Sequence, residues 1–356
     1  MGSKKTRRKG KKARAGKTSK RPHGDRAAKE AMDALRTTQS WKYAAALAAY
    51  EEAMDGGIDK RYGATLGIDT GSKIVHGEVT DSPCLRFFVS KKLPKKKLER
   101  SNRIPSNIDG VPTDVVATRI DTCSGGIQGF DRIRPEHDLG SPGRVGTMVR
   151  DVDKGGKMLL TAAHVVQGGG KLSVLENAVK MVDDDENVVG RFLTGRGMNW
   201  QRNEHYDSGL LRPEDGGPEA KAFVRGHEGV PLRIAHSWDL RVGANLFFPV
   251  TDETIQSRHG QIDSLFNTFT LTNGEHVTNH IVVKRTSDQF ARQGHSGGLV
   301  VDSENRAVGI IRAVLKTLRT NVRDDRTNLT EGEPQFALIV PMYRIVGRFR
   351  VWPTNE

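Results

Sequence analysis

Gln293-Gly294-His295-Ser296-Gly297-Gly298-Leu299-Val300-Val301-Asp302 decides how this chain is read. It places a serine between glycines and runs directly into an apolar, β-type segment. A serine hydroxyl is a weak nucleophile until a base takes its proton and donors receive the developing oxyanion. Flanking glycines let the backbone turn sharply and bring its N–H groups close to a reacting carbonyl. The stretch therefore calls for a histidine and a carboxylate elsewhere in the chain.

Chain order separates two ways of supplying them. Gly294-His295-Ser296-Gly297-Gly298 fits the G-x-S-x-G elbow of α/β-hydrolases, whose partners follow in the order Ser, Asp, His. His295 is the last histidine of the sequence, so no base lies downstream of Ser296 and that order fails. The opposite order, His, Asp, Ser, is available. Leu159-Leu160-Thr161-Ala162-Ala163-His164-Val165-Val166 comes first, and His205-Tyr206-Asp207-Ser208-Gly209-Leu210-Leu211 second.

Thr161-Ala162-Ala163-His164, Asp207-x-x-Leu210-Leu211 and Gly294-x-Ser296-Gly297-Gly298 together resemble the chymotrypsin/trypsin-like serine peptidases. The resemblance spans roughly residues 140 to 350 and rests on three motifs in the family's order. It implies a chymotrypsin-like double β-barrel and a serine endopeptidase that works through an acyl-enzyme. Ser296 would be the nucleophile, His164 the general base and then acid, and Asp207 the group that orients the imidazole. The backbone N–H groups of Gly294 and Ser296 would form the oxyanion hole. No cofactor or metal is implied, and the substrate would be a protein or peptide.

Three positions depart from the family pattern. His295 stands where many members carry an Asp that receives a freed N-terminal ammonium, and a neutral imidazole cannot replace that salt bridge. Activation by N-terminal trimming is therefore not expected. Phe290 lies six residues before Ser296, where a trypsin-like pocket would place Asp, so specificity for Lys or Arg is not implied. Arg312 falls near the strand that contributes to the pocket wall. There it would either favour acidic side chains or point to solvent, and solvent is the preferred reading.

At 356 residues the chain has room for two domains, or for one two-lobed domain with an appendage. Residues 1–30 hold 13 Lys and Arg against two acids, Asp25 and Glu30, so most of the formal charge of +13 sits in a tail. Residues 1–24 have almost nothing to bury and are expected to be disordered. Such a tail either solubilises the chain or attaches it to nucleic acid or an anionic surface by counterion release. A non-catalytic or latent docking protein that uses this tail is the alternative to the peptidase, and an intact triad speaks against it. Gly10 to Gly16-Lys17-Thr18 has one residue too many for a P-loop and no strand before it.

Residues 25–122 read as a helical pair followed by a small α+β leader module. Asp25 can cap a first helix carrying Ala27, Ala28, Ala31, Met32 and Leu35 on one face. Ser40 can cap a second, with Trp41, Leu47, Tyr50 and Met54, stopped at Gly56-Gly57. Short β-type runs follow at 65–68, 73–75, 85–89 and 114–120, with a Lys-rich, Pro-punctuated loop at 91–105. The segment from Leu85-Arg86-Phe87-Phe88-Val89 to Val115-Val116 is similar to a leader module found ahead of bacterial trypsin-like peptidase domains. Residues 123–143 would join it to the peptidase domain, 144–356.

From residue 144 the pattern is one of short strands with turn signals between them. The first lobe would use 145–150, 157–161, 171–175, 178–182, 188–193 and 207–211. The second would use 232–235, 244–250, 262–271, 280–284, 299–301, 307–312 and 336–340, before a terminal helix at 342–349. Asp151-Val152-Asp153-Lys154-Gly155-Gly156 reads as a hairpin loop, and Asp183-Asp184-Asp185-Glu186 as a solvated turn rather than a cation site.

Competing chemistries are weaker. Asp69-Thr70-Gly71-Ser72 matches an aspartic-protease signature, with Asp207 as the partner of a proton-sharing dyad. That reading leaves His164 and the Ser296 glycines unexplained, and a turn at Asp69-Thr70-Gly71 is the simpler one. His276 and His280 are four apart in a strand-like region, where that spacing does not mimic a helical zinc pair. His205, two residues before Asp207, would share its side of a strand, but His164 has the better context for a base. Two cysteines, Cys84 and Cys123, suit a reducing compartment and leave a single disulfide open. No run of about 18 apolar residues and no secretory h-region is present, so a cytoplasmic location is expected.

Overall fold

Apolar β-branched runs broken by Gly, Asp and Asn turns govern this chain, and a computed structural model turns nearly all of them into strands. It describes residues 46, 48–51, 54, 65–75, 78–122, 132–136, 142–167, 179–183, 185–199, 204–214, 233–249, 257–271, 276–286, 290–323 and 326–353. The basic tail, the first helix of the N-terminal pair, Cys123 and the expected strand at 171–175 lie outside the described residues, as do the side chains of His205 and His276.

The N-terminal part contributes β1 (Thr65–Val75), β2 (Glu78–Val89), β3 (Asn107–Ile108) and β4 (Val111–Thr122). Then come β5 (Arg132–Pro135), β6 (Gly143–Arg144), β7 (Thr147–Asp151), β8 (Lys157–Thr161), α1 (Ala163–Gln167), β9 (Lys180–Val182), β10 (Val188–Asn199) and β11 (Glu204–Pro213). The C-terminal part holds β12 (Asn245–Pro249), β13 (Ser257–Ser264), β14 (Asn267–Thr270), β15 (His276–Thr278), β16 (Ile281–Arg285) and β17 (Leu299–Asp302). It ends with β18 (Ala307–Arg323), β19 (Arg326–Pro341), α2 (Met342–Phe349) and β20 (Val351–Pro353).

The fold is mainly β, the chymotrypsin-like double barrel. In the second lobe β18, β17, β12, β13, β16 and β19 follow one another, and β19 pairs back onto β18, which closes the ring. Closure removes exposed edges and gives a core of Leu246, Phe248, Ile262, Val283, Val300, Ile311 and Ile339. The first lobe is an eight-stranded sheet in the order β20-β7-β8-β11-β10-β9-β5-β6. Ile133, Leu159, Met181, Phe192 and Leu211, from five of those strands, meet in one core, so the sheet curls on itself. Residues 132–135, read from sequence as part of a joining stretch, are one of its strands.

α2 and β20 tie the lobes together. Met342 and Ile345 of the helix are fully buried, and Arg350, at φ 55°, ends the helix in the left-handed region. The chain then crosses to pair Val351, Trp352 and Pro353 with β7 of the first lobe.

The leader strands do not stand apart from the second lobe. Thr118 to Thr122 of β4 pair with Ala313 to Thr317 of β18, while β1 pairs with β14, so one twelve-stranded sheet contains them all. Residues 46, 48–51 and 54 are helical, and Ala46 and Ala49 pack on Ile68, Leu85, Phe87 and Val111.

Several local expectations change. Asp69-Thr70-Gly71 is mid-strand in β1, not a turn, and Asp69 is fully buried. Arg86 Nε and Nη2 donate to its two oxygens at 2.7 and 2.5 Å, and Arg86 Nη1 lies 2.5 Å from Asp263 Oδ2. A β strand accommodates this carboxylate because the guanidinium of the neighbouring strand neutralises it. The expected strand at 262–271 breaks at Leu265-Phe266 into β13 and β14, and that at 232–235 is reduced to a single bridge between Ile234 and Ala307. Asp183 does form a solvated turn, its Oδ1 accepting the N–H groups of Asp185 and Asn187. Cys84 is a buried free thiol, pushed up to about 12 by burial. Among the described residues no helix is long and apolar enough to cross a membrane.

Candidate active site

His164 is the second residue of α1, which follows directly on the buried run Leu159-Leu160-Thr161-Ala162 of β8 and its edge. Asp207 lies on β11, which pairs with β8, so the two motifs are brought together across adjacent strands. Between Arg196/Ser208 and Met198/His205 the β10–β11 register slips, and Asp207 has φ 33° within that irregularity. A bulge of this kind re-aims a side chain that a regular strand would have placed by alternation. Here it turns the carboxylate onto α1.

Asp207 Oδ1 accepts the backbone N–H of His164 at 3.0 Å, and Oδ2 accepts from His164 Nδ1 at 2.7 Å. A carboxylate only accepts, so Nδ1 carries the proton and Nε2 is left with a lone pair. Ser296 Oγ donates to that Nε2 at 2.7 Å and has a second acceptor, the Arg312 carbonyl, at 3.3 Å. The three residues that the sequence singled out therefore form one directional chain of hydrogen bonds from Ser296 to Asp207, with two lobes each contributing a part.

Burial would raise the Asp207 carboxyl. The charges of His164 and Arg312, with the two hydrogen bonds from His164, outweigh it and hold the group at about 2. Asp207 is therefore an anion at neutral and mildly acidic pH. His164 keeps a partly exposed side chain, 18%, whereas Ser296 is fully buried.

The Ser296 loop is a tight turn. Gly294 and Gly297 both adopt φ 87°, and a Cβ on Gly297 would lie 2.6 Å from Thr161 Oγ1 and 2.9 Å from the Ala162 nitrogen. Only glycine fits this contact between the lobes. Gly297 N–H donates to the Ile311 carbonyl and Gly298 N–H to that of His295, whereas the N–H groups of Gly294 and Ser296 have no protein acceptor among the described residues. His295 is fully buried, its ring 4.8 Å from that of Phe248, and its Nδ1 accepts the Arg292 N–H at 3.3 Å. Burial, together with the charges of Arg144, Arg258 and Arg292, lowers its pKa well below the ordinary histidine value. It is the neutral imidazole expected from the sequence.

The two pocket candidates are placed differently from expectation. Phe290 is 2% exposed and packs in the second-lobe core near Phe248, which offers no wall to an open pocket. Arg312 is 1% exposed and does not point to solvent. Its Nε lies 3.4 Å from Asp207 Oδ2, and its Nη1 is 3.4 Å from His280 Nε2. Sequence reasoning missed both Arg312 and His280 as neighbours of the triad. The available signal was a charge inside the apolar run Ile310-Ile311-Arg312-Ala313-Val314, where a solvent-facing side chain was not to be expected. Asp69, the other carboxylate with a catalytic signature, is bound to Arg86 and has no part in this site.

Residues 146–310 match the family model of the trypsin-like peptidase domain. The chain therefore carries a trypsin-like peptidase domain, in agreement with its double barrel. Solved structures similar to it include a glutamic acid-specific serine protease described as using a histidine triad in substrate binding, 18% identical with a TM-score of 0.41, covering 64% of this chain and 100% of that one. The chymotrypsin of Cellulomonas bogoriensis is 18% identical with a TM-score of 0.40, over 64% of this chain and 98% of that one. A Nocardiopsis protease is 15% identical with a TM-score of 0.40, over 64% and 98%. No curated protein matches the chain in sequence.

Proposed function

We propose that this protein is a serine endopeptidase that cleaves peptide bonds through an acyl-enzyme. The observation that carries the reading is the continuous chain Ser296 Oγ, His164, Asp207, with both hydrogen bonds at 2.7 Å. His164 Nε2 takes the Ser296 proton as Oγ attacks the carbonyl carbon, and then delivers it to the departing amine. Asp207 holds the imidazole in the tautomer that makes this transfer and stabilises the imidazolium once it forms. The N–H groups of Gly294 and Ser296 supply the donors for the tetrahedral oxyanion. Water then repeats the attack on the ester, with His164 as base, and frees Ser296.

A second reading, a latent form or a docking protein on the peptidase fold, is favoured by one observation, the complete burial of Ser296. Fluorophosphonate labelling separates the two. The native chain is expected to take up the probe at Ser296, and Ser296→Ala and His164→Ala to lose it. Absence of labelling in the native chain supports the latent form, and labelling that survives in Ser296→Ala overturns the nucleophile assignment.

A further inference from the structure

Arg312 is a buried cation with a defined partner on each side. On one side its Nε lies 3.4 Å from Asp207 Oδ2. On the other its Nη1 meets His280 Nε2 at 3.4 Å. His280 is itself fully buried and held by its backbone: its N–H donates to Asn267 Oδ1 at 3.2 Å, and its carbonyl accepts from Asn267 Nδ2 at 2.6 Å. His280 Nδ1 lies 3.1 Å from the Thr278 carbonyl, which also accepts from Arg344 Nη1 of α2 at 3.2 Å. A carbonyl cannot donate, so Nδ1 carries the proton and Nε2 is free to accept from the guanidinium. Both imidazole nitrogens of His280 thus have a consistent role, and the contact of Arg312 Nε with Asp207 is an ion pair rather than a hydrogen bond.

We propose that Arg312 is a positioning residue for the triad, its guanidinium anchored on His280 and clamping the Asp207 carboxylate in the orientation that serves His164. This rests on the peptidase reading above. The carboxylate is then fixed by three contacts: the His164 N–H on Oδ1, and His164 Nδ1 and Arg312 Nε on Oδ2. The charges that face Asp207 come from α1 through His164 and from β18 through Arg312. A carboxylate that was fully buried with only a neutral imidazole beside it would carry a large desolvation cost, and the guanidinium offsets it. The clamp has a second consequence. A fixed positive charge beyond Asp207 partly offsets the field of that anion, so removing it is expected to change the pH dependence of any step that charges the imidazole.

The test uses the full chain with Arg312→Leu and Arg312→Lys, read in two ways. In the first, the pH profile of fluorophosphonate labelling is measured. Arg312→Leu is expected to label at least tenfold more slowly, with the midpoint of the acid limb moved up by about one pH unit, the low end of what a nearby charge produces. Arg312→Lys, which keeps the charge, should leave the midpoint close to that of the native chain. In the second, histidine-selective nitrogen NMR follows the imidazoles directly. His164 should titrate at higher pH in Arg312→Leu than in the native chain, and His280 of the native chain should be the neutral Nδ1–H tautomer. A folded Arg312→Leu with an unmoved His164 titration overturns the proposal. So does a native His280 protonated at Nε2, a result that needs no variant to fold. If the native chain takes no label, the peptidase reading falls, while the two imidazole measurements still decide the role of Arg312.

Discussion

Arg144 donates its backbone N–H to the carbonyl of Ser296 at 2.7 Å, so β6 buttresses the turn that carries the nucleophile. The preceding Gly143 makes this contact close. A Cβ there would overlap Val165 Cγ2 and come within 2.8 Å of the Ser296 carbonyl oxygen. Val165 follows His164 in α1, so Gly143 is wedged between the supports of base and nucleophile.

Gly143→Ala is therefore expected to push these two supports apart. Overpacking of this kind costs about 1–3 kcal/mol of stability. A misplacement of the reacting groups of the order of 1 Å would slow Ser296 labelling by roughly a hundredfold. Urea unfolding and labelling kinetics on the same preparation check both. Native labelling rate in Gly143→Ala would show that β6 does not set the geometry of Ser296.

Arg86 offers a separate test, of how the leader strands are joined to the second lobe. Its guanidinium, fully buried, binds Asp69 of β1 and lies 2.5 Å from Asp263 of β13, with Lys284 Nζ 3.9 Å from the other Asp263 oxygen. Removing the shared cation leaves the buried Asp69 without its ion-pair partner and Asp263 with the more distant Lys284. Arg86→Met should cost about 3–5 kcal/mol, the loss expected when one partner of a buried ion pair is deleted. Asp69→Asn should cost less, because Arg86 keeps Asp263 and burial already pushes the Asp69 carboxyl up to about 6. Denaturant midpoints rank the two variants, and an Arg86→Met as stable as Asp69→Asn would show that the cluster does not hold the strands together.

Much of this architecture was legible in local chemistry. The terminal helix expected over 342–349 occupies those residues, with Pro341 at its N-cap. The strand expected at 157–161, after the hairpin loop of Asp151 to Gly156, has those limits. What stayed hidden depends on partners far away in sequence. Asp69 looked like a turn residue because nothing local indicates that Arg86 and Asp263 will surround it. Arg312 looked solvent-facing because the cation's partners, Asp207 and His280, are supplied by other strands. Asp207 reaches His164 only through a bulge with φ 33°, which no alternation pattern encodes. Charges buried by tertiary contacts are the class of feature that one-dimensional reading assigns to the surface.

His295 carries a pH signature of its own. Its pKa lies well below the ordinary histidine value of 6.5, chiefly through burial and then through Arg144, Arg258 and Arg292. Below about pH 6.5 the unfolded chain takes up a proton at this residue that the folded chain refuses. Stability must therefore fall as pH drops from about 6.5 towards the folded value, by up to about 1.4 kcal/mol per pH unit. Two carboxylates act on neighbouring ranges. Asp207, held at about 2, contributes stability that is lost only as pH falls from its ordinary value of 3.8 through that point. Asp69, raised to about 6, works in the opposite sense: its contribution is complete below 3.8 and is lost as pH rises through about 6. Both remain when His295 is replaced, so the difference between the native chain and His295→Gln isolates the imidazole. Between pH 6.5 and 4.5 the native stability should fall relative to that of His295→Gln, the gap widening with each step of acidification. Parallel curves across that range in equilibrium urea unfolding would mean that His295 titrates alike in the folded and unfolded chains, and that the arginines around it do not keep it neutral.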